Sequence, residues 1–293
     1  SCNGPAKSFT ITVNPTPVAT ATPSAETICS GTATNVALTS NIAGTTFTWT
    51  VSQLPAGSIT GASAGSGNLI AQTITNTTAA NATLTYTVTP SNNGCTGTPV
   101  LVTITVKPMP VLSSSLTPPA ICSGVTFNYT PTSLTAGTTF SWTRAAIPGG
   151  SAASSGTGNI SEVLTTTSTV NVIYVYTLTA NGCTNTQNVT VTVSGFPTIT
   201  VSPSPLTICL GTGTTLTASG ANTYTWSPAT GLSSTTGATV TANPLVNTTY
   251  TVTGTNLTGC SNSTTVGVIV LPKPTVTVSP DVKIGRASCW ERV

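Results

Sequence analysis

Apolar and hydroxylated side chains alternate with period two at three places in this sequence. Phe9, Ile11 and Val13 interleave with Ser8, Thr10 and Thr12; Val102, Ile104 and Val106 with Thr103 and Thr105; Val189, Val191 and Val193 with Thr190 and Thr192. Such alternation gives a half-buried antiparallel strand one apolar and one wetted face. Thr suits the wetted face, since its β-branch favours the pleat while its hydroxyl meets water. A Tyr-Thr-aliphatic strand recurs at Tyr86 and Val88, Tyr176 and Leu178, and Tyr250 and Val252. It is joined to the strand that follows through Asn93-Gly94, Asn181-Gly182 or Thr258-Gly259. Asn-Gly between alternating runs signals a hairpin, because Gly accepts positive φ without steric cost. These two strands are read as F and G. Earlier come a B-like strand (Val36 and Leu38; Phe127 and Tyr129; Leu216 and Ala218) and a C-like strand ending in Trp49, Trp142 or Trp226. No helical period of useful length appears, and about seven short strands per unit around a buried Trp make a small β-sandwich.

The pattern recurs with a period of roughly eighty to ninety residues, which means tandem domains. The expected organisation is a final strand of a preceding repeat over 1–14, repeats over 15–107, 108–196 and 197–273, and the start of a further repeat over 274–282. The chain is thus read as a window on a longer array. Between repeats lie Asn14-Pro15-Thr16-Pro17, Lys107-Pro108-Met109-Pro110, Gly195-Phe196-Pro197 and Leu271-Pro272-Lys273-Pro274. Alternating prolines hold such linkers extended, so the array is expected to be a stiffened rod. The Ser-Gly-rich segments 61–68 and 149–158 read as long surface loops.

Composition narrows the chemistry. Only 4% of the 293 residues are charged and 38% are hydrophobic, but the apolar residues are scattered among Thr, Ser, Asn and Gly. No run reaches the eighteen or more apolar residues of a spanning helix, so no transmembrane segment is expected. There is no His, and the carboxylates are Glu26, Glu162, Asp281 and Glu291, none close to another in sequence. Acid–base catalysis and hydrolytic metal sites draw on such groups, so the chain is read as non-catalytic, with no cofactor and no metal. Residues 283–293 (KIGRASCWERV) resemble translated sequencing-adapter sequence, a non-native scar to exclude from fold reasoning. They carry Lys283, Arg286 and Arg292 against Glu291, two of the three net positive charges. Without them the chain has no basic cluster for nucleic acid.

Cys289 falls in that segment and Cys2 in the preceding repeat; the other six cysteines form one pair per repeat. Paired cysteines in small domains with polar exteriors indicate an oxidising compartment. The expected bonds are Cys29 to Cys95, Cys122 to Cys183 and Cys209 to Cys260, each closing a loop of about sixty residues for about 4 kcal/mol. A rival pairing joins Cys2 to Cys29, Cys95 to Cys122 and Cys183 to Cys209, at spacings of 27, 27 and 26. Those intervals hold extended strands and a Pro linker, whose ends lie too far apart for a bridge. The local pairing meets its own difficulty, since the start of strand B and the F–G turn of such a sandwich tend to lie at opposite ends. Trp49, Trp142 and Trp226 recur at one strand position with an aromatic residue two positions earlier, which favours core anchors over sugar-stacking platforms.

The motifs ICLG at 208–211, YTWSPATGLSS at 224–234, TTYTVTGTN at 248–256 and Gly259-Cys260 resemble the PKD-like or immunoglobulin-like repeats of large secreted surface proteins of Bacteroidetes-type bacteria. The resemblance spans residues 1–282 and is closest in the third repeat. It implies an all-β chain of tandem immunoglobulin-like (PKD-like) β-sandwich domains in an elongated array. It also implies an extracellular or bacterial cell-surface location, commonly reached by type IX secretion, and a role in adhesion or gliding motility. Many relatives of this kind carry Asp-rich turns, and this chain has none. The function expected is a structural, adhesive stalk or spacer whose partners are neighbouring repeats and extracellular glycans or surface proteins. The alternatives are a carbohydrate- or protein-binding module using the Gly-rich loops, and an accessory region of a polysaccharide-degrading enzyme.

Overall fold

The structure is a computed structural model that describes residues 4–275. Every regular element among them is a β-strand, and the chain is a tandem of immunoglobulin-like β-sandwiches. The expected readings of Cys2 and of residues 283–293 lie outside the described residues, as does most of 274–282. The described chain divides into two compact units, one holding 4–120, 124–166 and 170–193, the other 121–123, 167–169 and 194–275.

The first unit contains two sandwiches. In the first, strand Ala82–Asn92 (F) is central, flanked by Val100–Lys107 (G) and Thr46–Leu54 (C), both antiparallel. Its burial alternates without interruption along eleven residues. Ala82, Leu84, Tyr86 and Val88 therefore face the core and the intervening threonines face outward. Val36, Leu38, Ile70 and Ile74 close the opposite face. Each fully buried side chain of this size contributes roughly 1.5–3 kcal/mol. In the second sandwich, Val170–Ala180 pairs with Cys183–Ser194 and with Thr139–Arg144, while Thr126–Tyr129 pairs with Ile160–Val163 on the opposite face. Its core is aromatic: Tyr174 lies 5.5 Å from Phe127 and 5.4 Å from Trp142, centroid to centroid. The hairpin turns use Asn93 (φ 45°) with Gly94 and Asn181 (φ 53°) with Gly182, left-handed backbone that Asn and Gly tolerate.

The second unit carries a sandwich of Thr200–Ser202, Thr214–Ser219 and Thr239–Ala242 against Leu206–Cys209, Ser261–Leu271, Thr248–Thr255 and Thr223–Ser227. Its F–G turn is wider, and the Asn256 side chain accepts hydrogen bonds from the Thr258 and Cys260 amides.

Two expectations are corrected. Residues 8–13 form no strand, and Phe9, Ile11 and Val13 are 84%, 74% and 85% exposed; among the described residues they have no sheet to lie on. The Ser-Gly-rich segments are not simply loops. Gly65–Ser66 pairs with Thr48 and Trp49, and Ser154–Thr157 pairs with the strand that carries Trp142. Glycine is required there because a Cβ on Gly65 or Gly156 would sit 2.7 Å from the indole of Trp49 or Trp142.

Candidate functional site: the stapled repeat ends

One register places the corner cysteines. Strand Ala25–Cys29 pairs parallel with the G strand, setting Cys29 opposite Lys107, and Leu206–Cys209 does the same, setting Cys209 opposite Leu271. The residue after each corner cysteine then donates its amide to the carbonyl that ends the G strand. Ser30 bonds Lys107 at 2.8 Å, Ser123 bonds Ser194 at 2.8 Å and Leu210 bonds Leu271 at 2.9 Å. The second cysteine of each repeat lies on the F–G turn, at the other end of the G strand. Between Cys183 and Ser194 run eleven strand steps, about 37 Å at about 3.4 Å each.

That separation excludes the expected bonds within repeats, because a disulfide needs Cα atoms within about 7 Å. The bonds formed are Cys29–Cys183, with Cα atoms 5.7 Å apart, and Cys122–Cys260, at 5.6 Å. Each joins the corner at the end of one repeat to the F–G turn of the next. Cys95 and Cys209, expected in bonds to Cys29 and Cys260, are free thiols. The rival set fails as well among the described residues, since neither Cys95–Cys122 nor Cys183–Cys209 forms.

Polar contacts support each staple. The Lys107 ammonium donates to Asn181 O on the turn that bears Cys183, at 2.7 Å. Asn76 donates to Val106 O and Ala80 O, fixing the corner behind Ser30. In the second unit, Asn256 donates to Ser194 Oγ and Gly195 O at 3.0 and 3.2 Å, and Cys260 Sγ lies 3.8 Å from Ser194 O. The linker prolines are held in the same way. Asn185, two residues past Cys183, donates to Pro110 O, and Asn262, two past Cys260, donates to Pro197 O, both at 3.0 Å. Sequence reasoning missed these asparagines, although their fixed offset from the turn cysteine was visible.

Trp49, Trp142 and Trp226 are buried, at 6%, 6% and 3% exposure. The indole N–H of Trp49 donates to Ser63 O and that of Trp226 to Gly237 O. A shallow depression of about 170 Å³ is lined by Arg144, Ile147 and Pro148, and Arg144 belongs to the one charge pair found among the described residues. Arg144 is bonded to Glu162 at 3.1 and 3.4 Å and lies 5.9 Å from the Tyr174 ring centroid. Burial works against the Glu162 carboxylate, but hydrogen bonds from Arg144, Ser154 and Tyr174 outweigh it and hold the carboxyl below its usual range. Burial, and then the bond to Glu162, push the Tyr174 phenol well above its ordinary value. The guanidinium has its partners inside the protein, which makes the pair structural.

No three His, Cys, Asp or Glu side chains come together among the described residues to hold a metal ion. No helix among them is long and apolar enough to cross a membrane.

No curated protein matches the sequence. Solved structures similar to it include mouse cadherin-23 EC22-24, at 16% identity over 89% of this chain and 100% of that one, with a TM-score of 0.29. An E-to-A variant of titin domains I67–I69 is similar at 11% identity, 84% and 95% coverage and a TM-score of 0.34. The Sidekick-1 immunoglobulin domains 1–5 are similar at 12% identity, 88% and 59% coverage and a TM-score of 0.26. Residues 26–110 and 119–205, more than half of the sequence, match the family model described as PKD-like domain. With this match, repeating sandwiches and corner-and-turn cysteines in each, the chain belongs to the PKD-like domain family.

Proposed function

We propose that this chain is a non-catalytic spacer in a bacterial cell-surface protein, holding an adhesive or catalytic part away from the cell. One observation carries the reading: the disulfides run from each repeat to the next instead of closing each repeat on itself. A bond across a junction adds little to a single core, but it limits how far successive repeats separate when one of them opens. Disulfides also persist outside the reducing cytosol, which supports an extracellular site. The paired Gly-rich segments weaken the alternative of a glycan-binding loop, because Gly65 and Gly156 serve as lids on buried indoles.

The test is surface display of a small binding domain with and without residues 15–273 beneath it. Capture of ligand-coated beads is expected to fall without the spacer, while capture of the soluble ligand stays the same. Equal bead capture overturns the reading. A glycan-array signal from the chain alone, lost on deleting 61–68 or 149–158, would favour the binding-module alternative.

A further inference from the structure

Cys95 and Cys209 are left over, and both occupy the positions at which their counterparts are bonded. Cys209 ends a strand that pairs parallel with the G strand, and Leu210 closes the corner on Leu271 as Ser30 does on Lys107 and Ser123 on Ser194. The two bonded corners, Cys29 and Cys122, each hold an F–G turn cysteine; Cys209 is exposed and holds none among the described residues. Cys95 is the complementary half. It sits on an F–G turn with its Sγ 3.7 Å from Asn14 O, as Cys260 Sγ sits 3.8 Å from Ser194 O. Asn14 also donates to Asn93 O on that turn, at 3.4 Å. Asn14, Lys107 and Ser194 are the matching residues that follow the alternating Val of each G strand. The stretch before Asn14 repeats the alternating sequence of the other G strands, and its Phe9, Ile11 and Val13 are exposed and in no strand.

We propose that Cys95 and Cys209 are the open rungs of one disulfide ladder, each bonding another PKD-like repeat in the register of the two rungs observed. Cys95 takes the corner cysteine of a PKD-like repeat on its Asn14 side, and Cys209 takes the F–G turn cysteine of a further repeat. This rests on the repeat geometry and is independent of the spacer reading. Formation of a rung is a two-electron oxidation in which oxidised glutathione serves as acceptor. One protein thiolate attacks the glutathione disulfide and releases a glutathione thiol; the second displaces the remaining glutathione. Two protein thiols and one oxidised glutathione thus give one protein disulfide and two reduced glutathiones.

The experiment inserts into the full chain, directly after Leu271, a copy of residues 15–107, which repeats the spacing of Lys107 to Pro108. The copy is marked by Thr96→Ser, and Cys2→Ser and Cys289→Ser remove the cysteines outside the repeats, so that two bonds leave four free thiols and three bonds leave two, on Cys95 and the copy's Cys29. After oxidation in a glutathione buffer, non-reducing peptide mapping is expected to show Cys209 bonded to the copy's Cys95, beside Cys29–Cys183 and Cys122–Cys260. Reactive thiol should fall twofold relative to a chain holding only those two bonds. A Cys209→Ser version should restore one thiol, on the copy's Cys95. Cys209 found free, or bonded to Cys260, overturns the ladder. Loss of either observed bond in the extended chain also counts against it, because a true register accepts a further rung without disturbing the others.

Discussion

The connectivity can be read as a length. In a chain carrying Cys2→Ser and Cys289→Ser and tethered at both termini, the shortest covalent path runs from 1 to 29, crosses to 183, returns to 122, crosses to 260 and ends at 293. That is about 122 peptide steps, or about 440 Å when fully extended at about 3.6 Å per residue, against about 1,050 Å for the reduced chain. Bonds within repeats would give about 410 Å by the same reckoning, too close for the unsubstituted chain to decide. Substitutions separate the two. Cys95→Ser leaves the observed path untouched, so the fully unfolded, oxidised chain is expected to keep its length in single-molecule force spectroscopy. Under local pairing the same change would open a loop and add about 240 Å. Cys29→Ser should add about 115 Å by removing the first rung alone. A gain near 240 Å on Cys95→Ser would refute the cross-repeat assignment.

Three further outcomes follow from the second sandwich. Gly156→Ala places a methyl group against the Trp142 indole and is expected to cost about 1–3 kcal/mol in calorimetric unfolding; most of that should return when Trp142→Phe is added. Glu162→Gln strands Arg144, whose side chain is 3% exposed, and should cost about 3–5 kcal/mol, whereas Arg144→Met with Glu162→Gln recovers most of it. A double variant as unstable as the single one would contradict this. The lowered Glu162 pKa stabilises the folded state fully above the unfolded carboxyl's value of about 4.3. That contribution is lost as the pH falls from there through the lower folded value. An acid titration should therefore show a loss below about pH 4.3 that Glu162→Gln abolishes.

Hairpins, tryptophan strands and the all-β class were legible because period-two alternation and Asn-Gly turns are local signals. The Tyr86 and Tyr176 strands carry their own burial pattern, and Asn181-Gly182 its own backbone preference. Disulfide partners were not legible, because Cys29 and Cys183 are brought together by the placement of whole repeats, which leaves no mark in spacing. The objection to local pairing, that corner and turn lie at opposite ends of one sandwich, already contained the answer. In the first unit, the end of the first sandwich that carries Cys29 is the end that meets the turn bearing Cys183. The Gly65 and Gly156 strands escaped notice because glycine has no side chain to alternate. Their signal was a Gly at a similar distance after each tryptophan, whose reason appears only once the indole lies beneath it. Phe9, Ile11 and Val13 show the converse: the alternation alone predicts a strand, and none forms there because no neighbouring strand among the described residues pairs with it.

The ladder also determines which part of the second repeat carries load. Strand Cys183–Ser194 is bonded to the first repeat through Cys29 at its start and runs on into the third repeat at its end. With the first and third repeats folded, tension passes along these twelve residues, already extended to about 37 Å of a possible 40 Å or so. Opening the rest of the second sandwich therefore releases almost no length. A weakening substitution should be mechanically silent while the rungs are intact: Glu162→Gln in the oxidised chain is expected to leave the early part of the force trace unchanged. With Cys122→Ser and Cys183→Ser added, the load must run through residues 107–194, and the same weakening should expose a low-force step of about 270 Å. A step of that size in the oxidised Glu162→Gln chain would show that the G strand does not carry the tension, and with it the mechanical reason for bonding repeats across their junctions would fall.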